Sequence, residues 1–220
     1  MTAQHRVLQL ARIGLIGATG RLGRAVEALA GDSIAARFHR TSPPDPRTEI
    51  DVFLDVSAAS ALRQNLDAAV QGGKPIAVGT TGAIDFNLLE EAARHIAVFY
   101  TPNFSLGMAV LKKAAKLVAG KFPGAAIEIV ETHHELKKDA PSGSALLLAK
   151  HLEPREAAIR SHRIGQTVGK HELIFSASDE RIALIHEALS RDAFARGALE
   201  AARFVALQSP GLYTMDDLIS

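Results

Sequence analysis

Fifteen consecutive residues, Glu131-Thr-His-His-Glu-Leu-Lys-Lys-Asp-Ala-Pro-Ser-Gly-Ser-Ala145, hold the side chains of this chain best suited to chemistry. A histidine titrates close to neutral pH and can donate a proton where negative charge develops. Lys137 and Lys138 add positive charge, although a solvated pair is the commoner reading of adjacent lysines. Ser142 suits a helix N-cap, ahead of an apolar helix that would run to residue 152. The amides of Gly143 and Ser144 would then be available to a carboxylate; plain capping without a ligand is the simpler alternative. Together these groups suit a small, doubly anionic molecule that must also receive a proton.

The block follows an apolar run that reads as a strand over residues 126–134. Period-two alternation puts Ile127, Ile129, Glu131 and His133 on one face, with Glu128, Val130, Thr132 and His134 on the other. The two histidines therefore diverge and need different roles. No metal centre is expected, because the chain has no His-x-x-x-His pair and no cysteine.

A second constellation is Gly17-Ala18-Thr19-Gly20-Arg21-Leu22-Gly23, whose glycines sit at i, i+3 and i+6. Between a strand and a helix, such a loop gives a tight turn, close backbone approach and helix-start amides for a pyrophosphate. Without a ligand it is simply a tight βα turn. The second strand ends in His39-Arg40 rather than in the acid that accepts ribose hydroxyls. Arg40 either pairs with a 2′-phosphate or is a solvated surface arginine. Gly79-Thr80-Thr81-Gly82 closes a further strand, at the end where open α/β sheets bind ligands; taken alone, an ordinary βα connection with threonine capping is the better explanation.

The elements that position these groups read as two kinds. Strands are expected at residues 12–16, 34–39, 52–56, 75–78 and 96–100. Helical spacing between them joins Leu22, Val26 and Leu29, then Leu62, Leu66 and Val70. This alternation predicts a parallel, Rossmann-like sheet with helices on both faces. The proline-rich Ser42-Pro-Pro-Asp-Pro-Arg47 reads as a loop. After residue 104 the pattern changes: a helix over 105–119 with Leu106, Val110, Ala114 and Leu117 on one face, the strand at 126–134, a helix over 142–152, and an antiparallel hairpin of 170–177 with 181–189. We therefore expect a dinucleotide-binding domain at 1–103 and a smaller α+β substrate domain with a mixed sheet at 104–192. A C-terminal helix, within 193–220, would return to the first domain.

With 25 basic and 24 acidic residues among 220, no footprint for nucleic acid or an anionic membrane stands out. The absence of cysteine fits a reducing compartment. The N-terminal MTAQHRVLQLARIGLIG has no leader-like apolar core, and no run reaches the length of a membrane span. A cytoplasmic protein is expected.

The His-His to Ser-Gly block resembles the signature of the dihydrodipicolinate reductase family, Glu-x-His-His-x-x-Lys-x-Asp-x-Pro-Ser-Gly-Thr-Ala. The Gly17 loop, Gly79-Thr-Thr-Gly82 and Asn103-Phe-Ser-x-Gly107 follow in the family's order. The resemblance implies an NADPH- or NADH-dependent reductase of a cyclic dicarboxylate in lysine and diaminopimelate biosynthesis, assembled as a homotetramer, and it adds oligomerisation to the role of the substrate domain at 104–192. It implies His133 as proton donor and Lys137 as an essential basic residue at the substrate, with His134, Gly143 and Ser144 binding it. Gly17 to Leu22, Gly79 to Thr81, and Thr101, Pro102, Asn103 and Phe104 would line the cofactor. The chain departs from the family at Ser144, which replaces threonine, at His39, where many members carry an acid, and in shorter loops. A dehydrogenase of another small amino or hydroxy dicarboxylate would share the glycine loop without the whole block. A non-catalytic nucleotide sensor would lose the proton donor.

Overall fold

The computed structural model describes residues 11–220, so the first ten residues of the segment read for a leader lie outside it. The described residues divide into two compact units, 11–105 with 192–220, and 106–191.

The first unit holds a six-stranded, all-parallel sheet. Its strands are β1 (Ile13–Ile16), β2 (Ile34–Phe38), β3 (Val52–Asp55), β4 (Ile76–Val78), β5 (Ala97–Tyr100) and β10 (Gly211–Tyr213), in the order β10-β5-β4-β3-β1-β2. Central strands β1, β3 and β4 are buried throughout, as a sheet covered on both faces requires. Helices α1 (Arg21–Ala30), α2 (Leu62–Gln71) and α3 (Phe86–Ala93) connect them, and α6 (Asp192–Val205) packs on α1 and against β3, β4 and β5. The strand order reverses at β1, so the Gly17 loop stands at the switch point of the sheet.

The buried face of α1 is Gly23, Val26 and Ala30, whereas Leu29, expected on the apolar stripe, is 37% exposed. A Cβ on Gly23 would meet the Gly17 carbonyl oxygen at 2.2 Å. Close packing of that glycine therefore fixes the helix rotation, and the larger side chains follow.

The second unit is a four-stranded mixed sheet, ordered β7-β6-β8-β9, from β6 (Ala126–His133), β7 (Ala157–Arg163), β8 (Gly169–Ser176) and β9 (Arg181–Ala188). β6 runs parallel to β7 and antiparallel to β8, and β8–β9 is the expected hairpin. Its core joins Ile127, Ile129, Leu173 and Phe175 to α4 (Leu106–Lys121) and α5 (Gly143–His151). On α4 the buried residues are Met108, Ala109, Leu111 and Ala115, while Val110 and Leu117, expected inside, are 56% and 65% exposed. The helix carries two apolar stripes, and the one beside Gly107 wins. Gly107 lies over the His186 ring, where a Cβ would come within 2.6 Å.

Candidate active site

Strand register assembles the chemical cluster of the second unit. Glu131 faces Ser161 on β7 and His171 on β8, and His171 faces His186 on β9. His133, the last residue of β6, faces Arg163. On its other side lies Gly169, where a Cβ would stand 3.1 Å from His133 Nε2, so glycine leaves room for the ring. Burial alternates along β6 and puts Glu131 wholly inside, with His133 9% exposed.

The two oxygens of Glu131 divide their work. Oε2 pairs with His133 Nδ1. Oε1 accepts from the Ser142 amide at 3.2 Å and from Arg163 Nη2 at 2.9 Å. Burial alone would raise the carboxyl pKa, but hydrogen bonds from Arg163, Ser161 and His133 hold it down to about 2. Glu131 is therefore an anion at any ordinary pH. Burial lowers the His133 pKa, Lys137 and Arg163 push the same way, and Glu131 opposes them.

Around this pair the turn is pinned. Arg163 donates from Nε to the Lys137 carbonyl at 3.3 Å, and from Nη2 to the Asp139 carbonyl. Lys137 Nζ donates to Asp139 Oδ1 at 2.8 Å. Ser142 caps α5, its Oγ accepting from Ala145 N at 3.3 Å, so the cap bond is not spent on Gly143 or Ser144. Gly143 is exposed with open space where a Cβ would be. His134 follows the strand end, partly exposed, and its carbonyl accepts from the Lys137 amide at 3.1 Å. Thus His133, Lys137 and the α5 start are joined through Glu131 and Arg163.

His171 completes the cluster. Its ring meets His133 edge-on, centroids 5.3 Å apart, and its Nε2 lies 3.3 Å from Ser142 Oγ. Burial pushes its pKa down to about 4, so it is neutral at pH 7. Glu131's partnership, Arg163 and His171 were not singled out from sequence. Glu131 had a usable signal, two residues before His133 on one strand face; Arg163 and His171 become neighbours only through pairing of β7 and β8 with β6.

In the first unit, Gly17 has φ +86°, and a Cβ there would lie 2.9 Å from the backbone of Val56 and Ser57. Buried Asp55 holds that backbone: it accepts from the Ser57 amide at 2.9 Å, from the Ser57 hydroxyl, and from Asn65 Nδ2 at 2.8 Å. Gly20 is the N-cap of α1 with no side-chain cap bond, and Thr19, Gly20 and Arg21 are exposed while Ala18 is buried and Leu22 partly buried. Thr80, at the end of β4, is 1% exposed and its hydroxyl has no hydrogen-bond partner among the described residues. An uncapped helix start beside an obligatory glycine, and a buried orphan hydroxyl at the carboxyl end of a parallel strand, fit a dinucleotide.

Other expected cofactor residues have structural work of their own. The space beside Gly79 is filled by Phe104, whose ring a Cβ would meet at 2.0 Å. Phe104 also stacks on Phe99, 6.5 Å between centroids. Thr101 Oγ1 donates to the Asn103 carbonyl at 2.8 Å, and Asn103 Oδ1 accepts from the Ser105 amide at 2.9 Å, so 101–105 is a self-bonded turn. Thr81, Pro102 and Arg40 are exposed.

Comparison with known proteins points to one family. Residues 106–219 match the family description "Dihydrodipicolinate reductase, C-terminus", and residues 40–104 match "Dihydrodipicolinate reductase, N-terminus". The chain is 39% identical to the 4-hydroxy-tetrahydrodipicolinate reductase of Zymomonas mobilis, over 94% of this chain and 96% of that protein. It is 35% identical to the enzyme of the same name from Caldanaerobacter subterraneus, over 94% and 98%. Among solved structures, dipicolinate-bound dihydrodipicolinate reductase from Paenisporosarcina sp. TG-14 shares the fold, with TM-score 0.77 and 21% identity over 93% of this chain and 97% of that one. With both parts of the family description matched and relatives spanning the Gly17 loop as well, the chain belongs to the dihydrodipicolinate reductase family.

Proposed function

We propose that this chain reduces 4-hydroxy-tetrahydrodipicolinate, the compound in its relatives' name, to tetrahydrodipicolinate in lysine and diaminopimelate biosynthesis. The first unit serves as the dinucleotide-binding domain and the second as the substrate and oligomerisation domain. The observation that carries the reading is the buried Glu131–His133 pair, bonded on one side to the start of α5 and flanked by Lys137.

A bound nicotinamide cofactor, NADPH or NADH, supplies the hydride. The chain's own residues do the rest. Gly17 to Leu22 receive the pyrophosphate at the uncapped start of α1, with Thr80 and Thr81 nearby on the strand end. Thr101 to Phe104 shape the wall of the site, and Arg40 meets a 2′-phosphate where relatives with an acid would repel it. In the second unit Lys137 and the amides of Gly143 and Ser144 hold one carboxylate, and His134 contacts the substrate. The 4-hydroxyl leaves as water, which creates the conjugated C=C–C=N system that the bound cofactor would reduce. Substrate charge favours imidazolium, lifting His133 from its lowered pKa so that it can deliver the proton that completes the reduction.

A homotetramer built through the second unit belongs to the same reading. β9 is an edge strand that exposes Ile185, 56% accessible, a position for a further copy to cover. A cytoplasmic location accompanies a biosynthetic role of this kind.

The test is loss of NADPH absorbance with freshly made product of dihydrodipicolinate synthase. Wild type is expected to turn over, and His133→Gln to lose about 10²–10⁴ in kcat with pyridine-2,6-dicarboxylate affinity little changed. A variant keeping more than about a tenth of wild-type kcat would remove His133 from the proton-donor role.

A further inference from the structure

We propose that Glu131 is a positioning residue for the proton donor. One buried carboxylate ties the His133 ring, the start of α5 and the Arg163 guanidinium together, and so decides which ring nitrogen is offered to the substrate. The inference rests on the reading of His133 as that donor.

An ionised carboxylate can only accept hydrogen bonds. Its partner Nδ1 must therefore carry hydrogen in both the neutral and the charged ring, and the exchangeable proton is the one on Nε2. When Nε2–H is given to the substrate carbon, its bonding pair stays on Nε2 and the ring is left neutral. The Nδ1–H bond to Glu131 survives the step unchanged, and no proton passes between the two residues. The groups facing His133 are Glu131 on β6, Arg163 on β7, His171 on β8 with His186 behind it, and Lys137 on the following turn. Of these Glu131 alone is negative. It is the group that makes an imidazolium tolerable between two cations.

The division of labour between the two oxygens makes the idea testable by a single atom. Oε1 receives two donors, the Ser142 amide and Arg163 Nη2. In Glu131→Gln the amide oxygen must stay on that side, because turning it would place an NH2 group against both donors. The NH2 then faces His133 Nδ1 and donates to it. That reverses the tautomer, putting the hydrogen of the neutral ring on Nε2 and opposing formation of the imidazolium. The α5 start keeps its acceptor, so the carboxylate anchor of the substrate stays in place.

The experiment combines 15N spectra of histidine-labelled protein, assigned with His133→Gln, with pH profiles of wild type and Glu131→Gln. Wild type is expected to show neutral His133 as the Nδ1–H tautomer. Glu131→Gln is expected to show Nε2–H, a kcat lowered at least tenfold at pH 8, and a basic limb moved at least about one unit to lower pH. Affinity for pyridine-2,6-dicarboxylate should stay within about threefold of wild type, which a loosened site would not preserve. An Nε2–H tautomer in wild type overturns the inference, and so does an unmoved pH profile in the variant. Should the variant fail to fold, the wild-type spectrum still decides. If His133→Gln keeps its kcat, the donor reading fails instead, and the tautomer measurement shows that failure to be separate.

Discussion

The proposed function gives an anion to each of two helix starts, one in each unit, and they are built by opposite means. α1 begins at Gly20 without a side-chain cap, behind a glycine whose positive φ and tight backbone contacts admit no other residue. α5 begins at Ser142 with its cap in place, and its approach is fixed by a buried carboxylate, a guanidinium and a histidine. The first is a backbone device, set by shape. The second is an ionic device, set by charge and protonation. A pyrophosphate running along a loop needs close approach by many amides, whereas a compact dicarboxylate awaiting a proton needs a few groups with controlled charge.

Substituting the glycines gives the sharpest contrast. Gly17→Ala combines a left-handed backbone, costing about 1–2 kcal/mol, with a clash against Val56 and Ser57. We expect a lowered melting temperature and at least tenfold weaker nucleotide binding by calorimetry. Gly143→Ala meets open space and should leave stability within about 0.5 kcal/mol. Equal stability of the two variants would erase the distinction.

Acid should reach the second device first. The folded pKa of His171, about 4, is depressed below its usual 6.5, so its stabilising effect is complete above 6.5 and is lost as pH falls through 4. Unfolding experiments from pH 7 to 4 should lose on the order of 3 kcal/mol from this group. Glu131 adds to the loss only below about 4.5, because its own folded value is near 2. His171→Gln should flatten the slope between pH 6.5 and 4; an unchanged slope would assign the acid sensitivity elsewhere.

Lys137→Ala tests whether charge holds the carboxylate. A charge-assisted hydrogen bond of about 1.5–3 kcal/mol predicts a ten- to hundredfold loss of pyridine-2,6-dicarboxylate affinity. The lysine now bonds Asp139, so unchanged calorimetry would mean that this ion pair is its whole role. The smallest effect is expected at Arg40, which is exposed. NADPH should serve at least as well as NADH, and Arg40→Ala should lower kcat/KM for NADPH up to about tenfold, with NADH little affected.

The parallel sheet was legible because its strands are short apolar runs separated by helical spacing. The face shared by Glu131 and His133 was legible because strand alternation has a fixed period. β7 was not foreseen: its Ala-Ala-Ile-Arg-Ser-His-Arg alternates between partly buried and exposed positions and has little apolar signal. Missing it also hid Arg163, which reaches Glu131 only through the parallel pairing of β6 with β7. The stripe on α4 was misread because both faces carry apolar residues, and the choice between them is made by Gly107 against His186, a long-range contact. The contact that requires glycine at position 79 was not legible either, because the ring beside it is Phe104, 25 residues further along the chain.

The second unit is a single uninterrupted stretch of chain, whereas the first is closed only by residues 192–220. As the polypeptide leaves the ribosome, the stretch 106–191 can therefore complete its sheet while β5 still lacks its outer neighbour, β10. Until α6 and β10 emerge, the earlier-made half of the molecule has an open sheet edge and an uncovered apolar face, both prone to wrong pairing. The part synthesised first is the part that must wait longest to be finished.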